Sequence, residues 1–343
     1  VVPDSNFAVK LHSFDITETT AAYTGSGSAP GHLLSRYSLS EHDGYLRVAT
    51  TIGDPWTGDG SSESVVTVLA ERSGRLEKVG EVGGLGRSEQ IFAVRFLGDV
   101  AYVVTFRQID PLYTVDLGQP TDPSVRGELK ITGFSSYLHP LPDGRLLGIG
   151  QAGDADGRIL GAQASIFDVT DLDNPTKLDE LLLGPDSSSS VEYDPRAFTW
   201  WSEENTFILP VSWWGWDEAT STDNRGSGAV LIEIEGDALT ETGRISHQQA
   251  RECEPVVRPL EDDIPAEPDA DEPGAVEADA EAHLVEESAS TIAPEPDGHC
   301  WSYNPEIRRA VVVGSTIYTI SDAGILASDS VTLNDKAWIA FNR

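Results

Sequence analysis

The 343-residue sequence predicts an all-β fold, a β-propeller of four-stranded antiparallel blades with about five full blades plus a half blade. Three observations carry that expectation. First, residues 112–129 and 164–181 repeat one unit: an apolar strand, an Asp/Pro-rich corner and a second strand. Asp116, Pro123 and Glu128 match Asp168, Pro175 and Glu180 at an offset of 52, and a period near 50 is the signature of radially repeated small sheets. Second, short segments alternating apolar and polar residues run the length of the chain, separated by Gly-, Asp- and Pro-rich turns. Third, helical periodicity is nearly absent; the one stretch that approaches it, 277–287, has no apolar face.

Taken in order, residues 9–16 and 21–25 read as two strands joined by SFDITET, with Asp15 where Asp116 and Asp168 stand in the repeat. This is the outer half of a blade whose inner two strands either lie upstream in the full protein or are supplied by another part of the chain. Five fuller units follow, with strands expected at 37–39, 45–51, 64–70 and 76–81; at 91–96, 100–106, 112–116 and 125–131; at 136–140, 146–150, 162–168 and 177–183; at 197–201, 206–212, 229–234 and 239–245; and at 308–313, 316–321, 324–328 and 336–341. HDG (42–44), LGD (97–99), PDGR (142–145) and RSG (72–74) supply tight turns. Residues 1–343 are therefore read as a single propeller domain that lacks N-terminal strands, with six or more blades in the full protein.

The insertion at 251–299 breaks the pattern with sixteen acidic and two basic residues and almost no aromatics. Such a composition buries too little apolar surface to order itself. Cys253 and Cys300 are the two cysteines of the chain and flank this insertion, so a disulfide closing it in an oxidising compartment is expected. The formal charge is −34, from 57 acidic and 23 basic residues, only five of them Lys. That surface repels phosphate backbones and argues against nucleic-acid binding; it suits adaptation to high salt or an extracellular protein. No run of about 18 apolar residues offers a membrane span. The sequence holds no Met, which points to a removed signal peptide or upstream domain. The expected localisation is secreted or cell-surface.

The stretches GYLRVATT (44–51), TFRQIDPLYTVDL (105–117), FSSYLHPLPDGRLLGIG (134–150), DGRILGAQASIFDVTDLDNP (156–175) and PEIRRAVVVGSTIYTISD (305–322) resemble a family of secreted prokaryotic proteins with a C-terminal β-propeller domain, distantly similar to WD-repeat propellers. The resemblance covers the chain apart from the acidic insertion. It implies the fold and adds little chemistry.

Candidate chemistry lies on loops longer than blade closure needs. The connections between second and third strands are long and polar: 53–63, 107–111, 151–161 and 213–228. Excess loop of this kind marks a binding face. On it, Trp214, Trp216 and Asp217 suit stacking on a sugar or a partner surface, while Trp200 or Trp201 must pack between blades by strand alternation. Arg107, Asp110 and His139 are expected at the channel mouth. Arg47, Arg95 and Arg309 on neighbouring strands read as an anion-binding throat or as inter-blade salt bridges. Asp154 and Asp156 on the GDADGR turn are a candidate calcium pair, although the loop departs from an EF-hand at Arg158 and Ser165. GIGQAG (148–153) matches a dinucleotide fingerprint in letters only, because no helix follows to hold a pyrophosphate. His12, His32, His42 and His247 show no metal spacing. The preferred function is a secreted, non-enzymatic propeller that binds a partner protein or a cell-envelope glycan. The alternatives are an extracellular hydrolase or lyase with its site at the channel mouth, and an accessory subunit of an envelope assembly.

Overall fold

The computed structural model describes residues 7–54, 61–106, 110–154, 156–217, 222–223, 225–247, 250–253, 300–303 and 305–341. The chain forms two units, 1–248 with 304–343, and 249–303. The first opens with a hairpin of β1 (Ala8–Ile16) and β2 (Ala21–Pro30). Blade one follows as β3 (Leu39–His42), β4 (Tyr45–Ile52), β5 (Glu63–Arg72) and β6 (Arg75–Leu85). Blade two is β7 (Gln90–Leu97), β8 (Val100–Phe106), β9 (Asp110–Asp116) and β10 (Ser124–Ile131). Blade three is β11 (Phe134–Leu141), β12 (Arg145–Gly153), β13 (Ile159–Asp168) and β14 (Thr176–Leu182).

Blade four has a split inner strand, β15 (Ser187–Ser189) and β16 (Thr199–Trp201), both paired with β17 (Thr206–Trp213). A small ladder of β18 (Trp216–Asp217) and β19 (Thr222–Asp223) interrupts it before β20 (Gly226–Glu235) and β21 (Ala238–Ile245). The second unit contributes β22 (Ala250–Cys253) and β23 (Cys300–Tyr303), an antiparallel pair whose register sets Cys253 directly opposite Cys300; residues 254–299 lie outside the described residues. Blade five, back in the first unit, is β24 (Ile307–Val313), β25 (Thr316–Ser321), β26 (Gly324–Asp329) and β27 (Asp335–Ala340).

The expected strands are found with two exceptions, both on inner edges. Residues 36–38 form a 3-10 turn, because the Ser35 hydroxyl accepts the Tyr37 N–H and holds the chain out of the ladder. In blade four, the Ser189–Glu192 capping box and Asp194–Pro195 fold two such turns between β15 and β16. Ser and Asp side chains compete with the ladder for backbone N–H groups, which is why they end strands.

Central strands such as β5, β13, β17 and β20 are buried along nearly their whole length, since another sheet covers each face. Apolar clusters fill the spaces between successive blades. Val66, Val68, Val94 and Val103 join blades one and two; Val104, Leu138, Leu146 and Phe167 join two and three; Leu147, Ile166, Phe207 and Ile232 join three and four; Ile208, Leu231, Ile317 and Leu326 join four and five. The N-terminal hairpin joins blade one's sheet through one parallel pair, Ser26 with Arg75, and its apolar side follows the same rule. Its Val9, Leu11 and Ala29 pack on Val48 and Leu69 of blade one.

The corners of blades two, three and five also plug into the outer strand of the blade before each. Gly80 on β6 leaves room for Pro120 and Pro123 of blade two, and Gly127 on β10 leaves room for Leu172 and Pro175 of blade three. Each glycine sits beside a register shift in its strand. Around the second plug the Thr114 hydroxyl donates to the Leu172 carbonyl, and Arg126 spans Asp116 and Asp173 at 3.1 and 2.8 Å. Leu333 of blade five meets Gly243 on β21 in the same way. The LGQPTDP and VTDLDNP corners are thus the plugs of inter-blade joints. Among the described residues no helix is long and apolar enough to cross a membrane.

Candidate functional site

The sequence candidates fall at two ends of the blades. At the long-loop end, Arg107 lies outside the described residues and Asp110 is known only as the first residue of β9. The 213–228 connection is partly folded back by the ladder in which Trp216 opposes Asp223 and Asp217 opposes Thr222. Trp214 is 49% exposed, and its N–H donates to the Asp186 carbonyl at 2.9 Å. Trp213 is instead a packing residue: it lies against Gly226, where a Cβ would collide with the indole, and Arg244 stacks over it at 5.5 Å.

Asp154 fits a turn better than a cation. Its Oδ1 accepts the N–H groups of Asp156 (3.0 Å) and Arg158 (2.8 Å), leaving it committed to the local backbone. Ca²⁺ wants six to eight oxygen ligands, and the metal-type grouping among the described residues lies elsewhere. The glycines of GIGQAG have a steric cause. Gly148 faces Ser135 and Phe167, Gly150 lies against the Phe134 carbonyl and Gly153 against Gly133, so they admit the close approach of β11.

His139 stands away from the long loops. Phe134, at the start of β11, meets Phe106 at a ring distance of 4.6 Å. Five residues of strand, about 16 Å at ~3.3 Å per residue, separate Phe134 from His139. There His139 is enclosed by Phe198 (4.7 Å) and Trp200 (5.7 Å), with Nδ1 3.3 Å from the Tyr137 hydroxyl. Burial, helped by Arg95, pushes its pKa down to about 4; burial likewise pushes Tyr137 up to about 12. Tyr37, Tyr137, Glu192 and Tyr193 line a cavity of about 140 Å³ along the inner strands. Glu192 is raised by burial, opposed by the Ser189 N–H and Gln151 amide that it accepts.

A pH dependence follows. The unfolded imidazole takes up a proton near pH 6.5, the folded one only at about 4, so between these values the unfolded chain binds more protons and stability falls as pH is lowered. With allowance for its partial exposure, His139 contributes about 1–2 kcal/mol of this acid loss. Denaturant melts of wild type and His139→Phe are expected to diverge over that window, with the variant less acid-sensitive; parallel curves would remove His139 as the cause.

A groove of about 710 Å³ opens between the inner strands of blades four and five. The Thr199 hydroxyl donates to the Ala310 carbonyl at 2.7 Å, so that face of β16 looks toward blade five. Trp201, two residues on, shares the face, while Trp200 packs the other way into the core of blades three and four. Trp201 and Val312 line the groove together with Arg196 and the exposed Glu203 and Glu204. Asp194 holds Arg196 at 2.8 Å and Arg309 at 3.0 Å, the latter an inter-blade salt bridge. Arg47 is likewise tied across blades, donating to the Gly98 carbonyl and the Ser40 hydroxyl.

At the short-turn end, the structure unites groups that spacing along the chain keeps apart. His42 Nε2 lies 3.6 Å from Asp43 and 3.3 Å from Asp99, from the turns of blades one and two. Arg47 lines the same hollow, so its guanidinium already faces Asp99 and Asp43.

A protein-family model described as "Beta propeller domain" matches residues 3–262. The chain is 40% identical over 203 residues to an uncharacterized protein of Methanocaldococcus jannaschii, covering 59% of this chain and 30% of that one. It is 42% identical over 209 residues to an uncharacterized protein of Archaeoglobus fulgidus, covering 59% and 31%. The matched stretch thus spans under a third of either relative. Among solved structures, it is similar to Sqt1 of Chaetomium thermophilum bound to the N-terminus of ribosomal protein L10, with TM-score 0.38, 12% identity, and 89% and 74% of the two chains covered. It is also similar to the tricorn protease, with TM-score 0.41, 13% identity, and 95% and 28% covered. With four-stranded antiparallel blades packed face to face and a family model matched over most of its length, the chain belongs to the β-propeller domain family.

Proposed function

We propose that this propeller is an exported, non-enzymatic binding module whose ligand is a neutral glycan of the cell envelope. One observation carries the reading: the groove between blades four and five is lined by an indole, Trp201, by the carboxylates of Glu203 and Glu204 and by the guanidinium of Arg196. Sugars offer apolar C–H faces that stack on aromatic rings and hydroxyls that bond in pairs to carboxylates and Arg. A volume of about 710 Å³ lies in the range of small-ligand sites. The channel-mouth enzyme reading has less support, since His139 is enclosed by aromatic rings and bonded to Tyr137. A disulfide between the opposed Cys253 and Cys300 fits an oxidising compartment and belongs to the same proposal; thiol titration of the unfolded chain, with and without reductant, tests it.

Tryptophan fluorescence titrated with cellotetraose and chitotetraose is the direct test of the groove. Trp201→Ala is expected to weaken binding by about tenfold or more, roughly 1.4 kcal/mol, and Trp214→Ala to leave it unchanged. Loss of binding in Trp214→Ala alone would move the site to the long-loop face; no saturable binding of either sugar would defeat the glycan reading.

A further inference from the structure

Among the described residues, four arginines are drawn in from the surface: Arg47, Arg95, Arg145 and Arg309. Three of them end on oxygen atoms. Arg47 donates to the Gly98 carbonyl and the Ser40 hydroxyl, Arg145 to the Gly236 carbonyl beside Asp237, and Arg309 to Asp194. Arg95, on β7, ends on no oxygen of the described residues; its guanidinium lies over the Tyr37 ring at 5.3 Å. A charge withdrawn from water ordinarily keeps a hydrogen-bonding or ionic partner. Arg36 stands over the same ring at 5.2 Å, and its Nη2 donates to the Tyr37 hydroxyl at 3.4 Å. It too holds no carboxylate among the described residues. In a chain of 57 acidic and 23 basic residues, two guanidiniums on one ring without a carboxylate are out of character.

The inner edges of three blades meet at this point. Arg36 and Tyr37 lead into β3 of blade one, Arg95 belongs to blade two, and Tyr37 meets Tyr137 of blade three at a ring distance of 6.2 Å. The positive field reaches blade three. Burial is the larger cause for both groups there, but Arg95 helps hold His139 down, and Arg95 and Arg36 oppose the rise of Tyr137. We infer that Arg95 and Arg36 form a binding site for a small tetrahedral oxyanion, phosphate or sulfate, beside the Tyr37 hydroxyl. A guanidinium fork matches two oxygens of such an anion, and the phenol supplies a further donor. The adjoining cavity, which Ser35, Tyr37, Ser136 and Tyr137 help to line, measures about 140 Å³. That is well below the ~300 Å³ at which drug-sized sites begin, so a free inorganic anion suits it and a nucleotide does not. Glu192 is the carboxylate on that lining, and its Oε1 accepts from the Ser189 N–H and the Gln151 amide. The site shares no residue with the Trp201 groove, so it stands or falls apart from the glycan reading.

Isothermal titration calorimetry of the full chain with sodium phosphate, sodium sulfate and adenosine monophosphate, at an ionic strength fixed with sodium chloride, tests this. Saturable binding of phosphate or sulfate is expected, with the nucleotide at least about tenfold weaker. Arg95→Gln should weaken binding by about tenfold or more, and Arg36→Gln by about threefold or more. Arg308→Gln, which removes an exposed guanidinium of blade five, should leave it unchanged. Arg36 is exposed, so its variant carries the test if circular dichroism shows that Arg95→Gln does not fold. Four outcomes overturn the inference. They are no saturable binding of either anion below about 10 mM, wild-type affinity in a folded Arg95→Gln or in Arg36→Gln, an equal loss in Arg308→Gln, or tighter binding of the nucleotide than of phosphate.

Discussion

Gly127→Val is expected to destabilise the propeller by about 3 kcal/mol or more, the range of severe overpacking. A Cβ at Gly127 would overlap the Leu172 carbonyl and lie 2.7 Å from Cδ of Pro175, both on the corner of blade three. Neither neighbour has freedom to retreat: one is backbone and the other a proline ring. The corner is also fastened there by the Thr114 hydroxyl and by Arg126, so relief would break those contacts too. Gly80→Val should behave alike, because its Cβ would meet Pro120 and Pro123 of blade two. Thermal and denaturant unfolding of both variants measure the effect. A melt indistinguishable from wild type in Gly127→Val would show that the corner is not seated as described.

His247→Ala should come next, at about 3 kcal/mol, from lost packing and stranded polar groups together. The ring is 4% exposed, bonded through Nδ1 to the Ser321 hydroxyl at 2.8 Å and through Nε2 to the Thr319 hydroxyl at 2.9 Å. It also meets Trp338 edge-on at 4.9 Å. Removing it leaves two buried hydroxyls without this partner and opens a void beside an indole. Burial holds the imidazole below its ordinary pKa, so it is the neutral ring that serves. His247→Asn, which keeps a donor and an acceptor, should recover part of the loss, whereas His247→Leu should recover packing alone. Equal destabilisation by all three would point to the backbone rather than to the hydrogen bonds.

These two sites also mark what the sequence made readable. Strand positions were legible from apolar patterning: β25 alternates as a half-buried strand must, and β8, buried nearly throughout, begins and ends with its apolar run. The hairpin was legible as half a blade from Asp15 and its neighbours, and its packing on blade one agrees. The inner strands of blades one and four were misplaced because Ser35, Ser189 and Asp194 divert the backbone into turns, a local hydrogen-bond choice that apolar periodicity does not register. Alternation did separate Trp200 from Trp201. What it could not show is the groove: Thr199 and Ala310, which define it, are 111 residues apart. His42 and Asp99, similarly, belong to turns of different blades and meet only once those blades pack. The neighbours of His139, Phe198 and Trp200 of the next blade, come together for the same reason. Its position on an inner strand was right, but which end of the blade it occupies depends on strand direction and register, and those come from pairing rather than from the residue itself.

The plug-and-glycine joints have a polarity. In the joints at Gly80, Gly127 and Gly243, the receiving glycine belongs to the earlier blade and the inserted corner to the later one. A growing chain therefore presents a finished socket before the segment that fills it has been made. Each new blade can dock on a completed predecessor without waiting for distant sequence, and nearest-neighbour coupling of this sort lets order spread stepwise along a repeat. The glycines thus give a nearly symmetric repeat a direction, running from the amino-terminal end toward the carboxyl-terminal end.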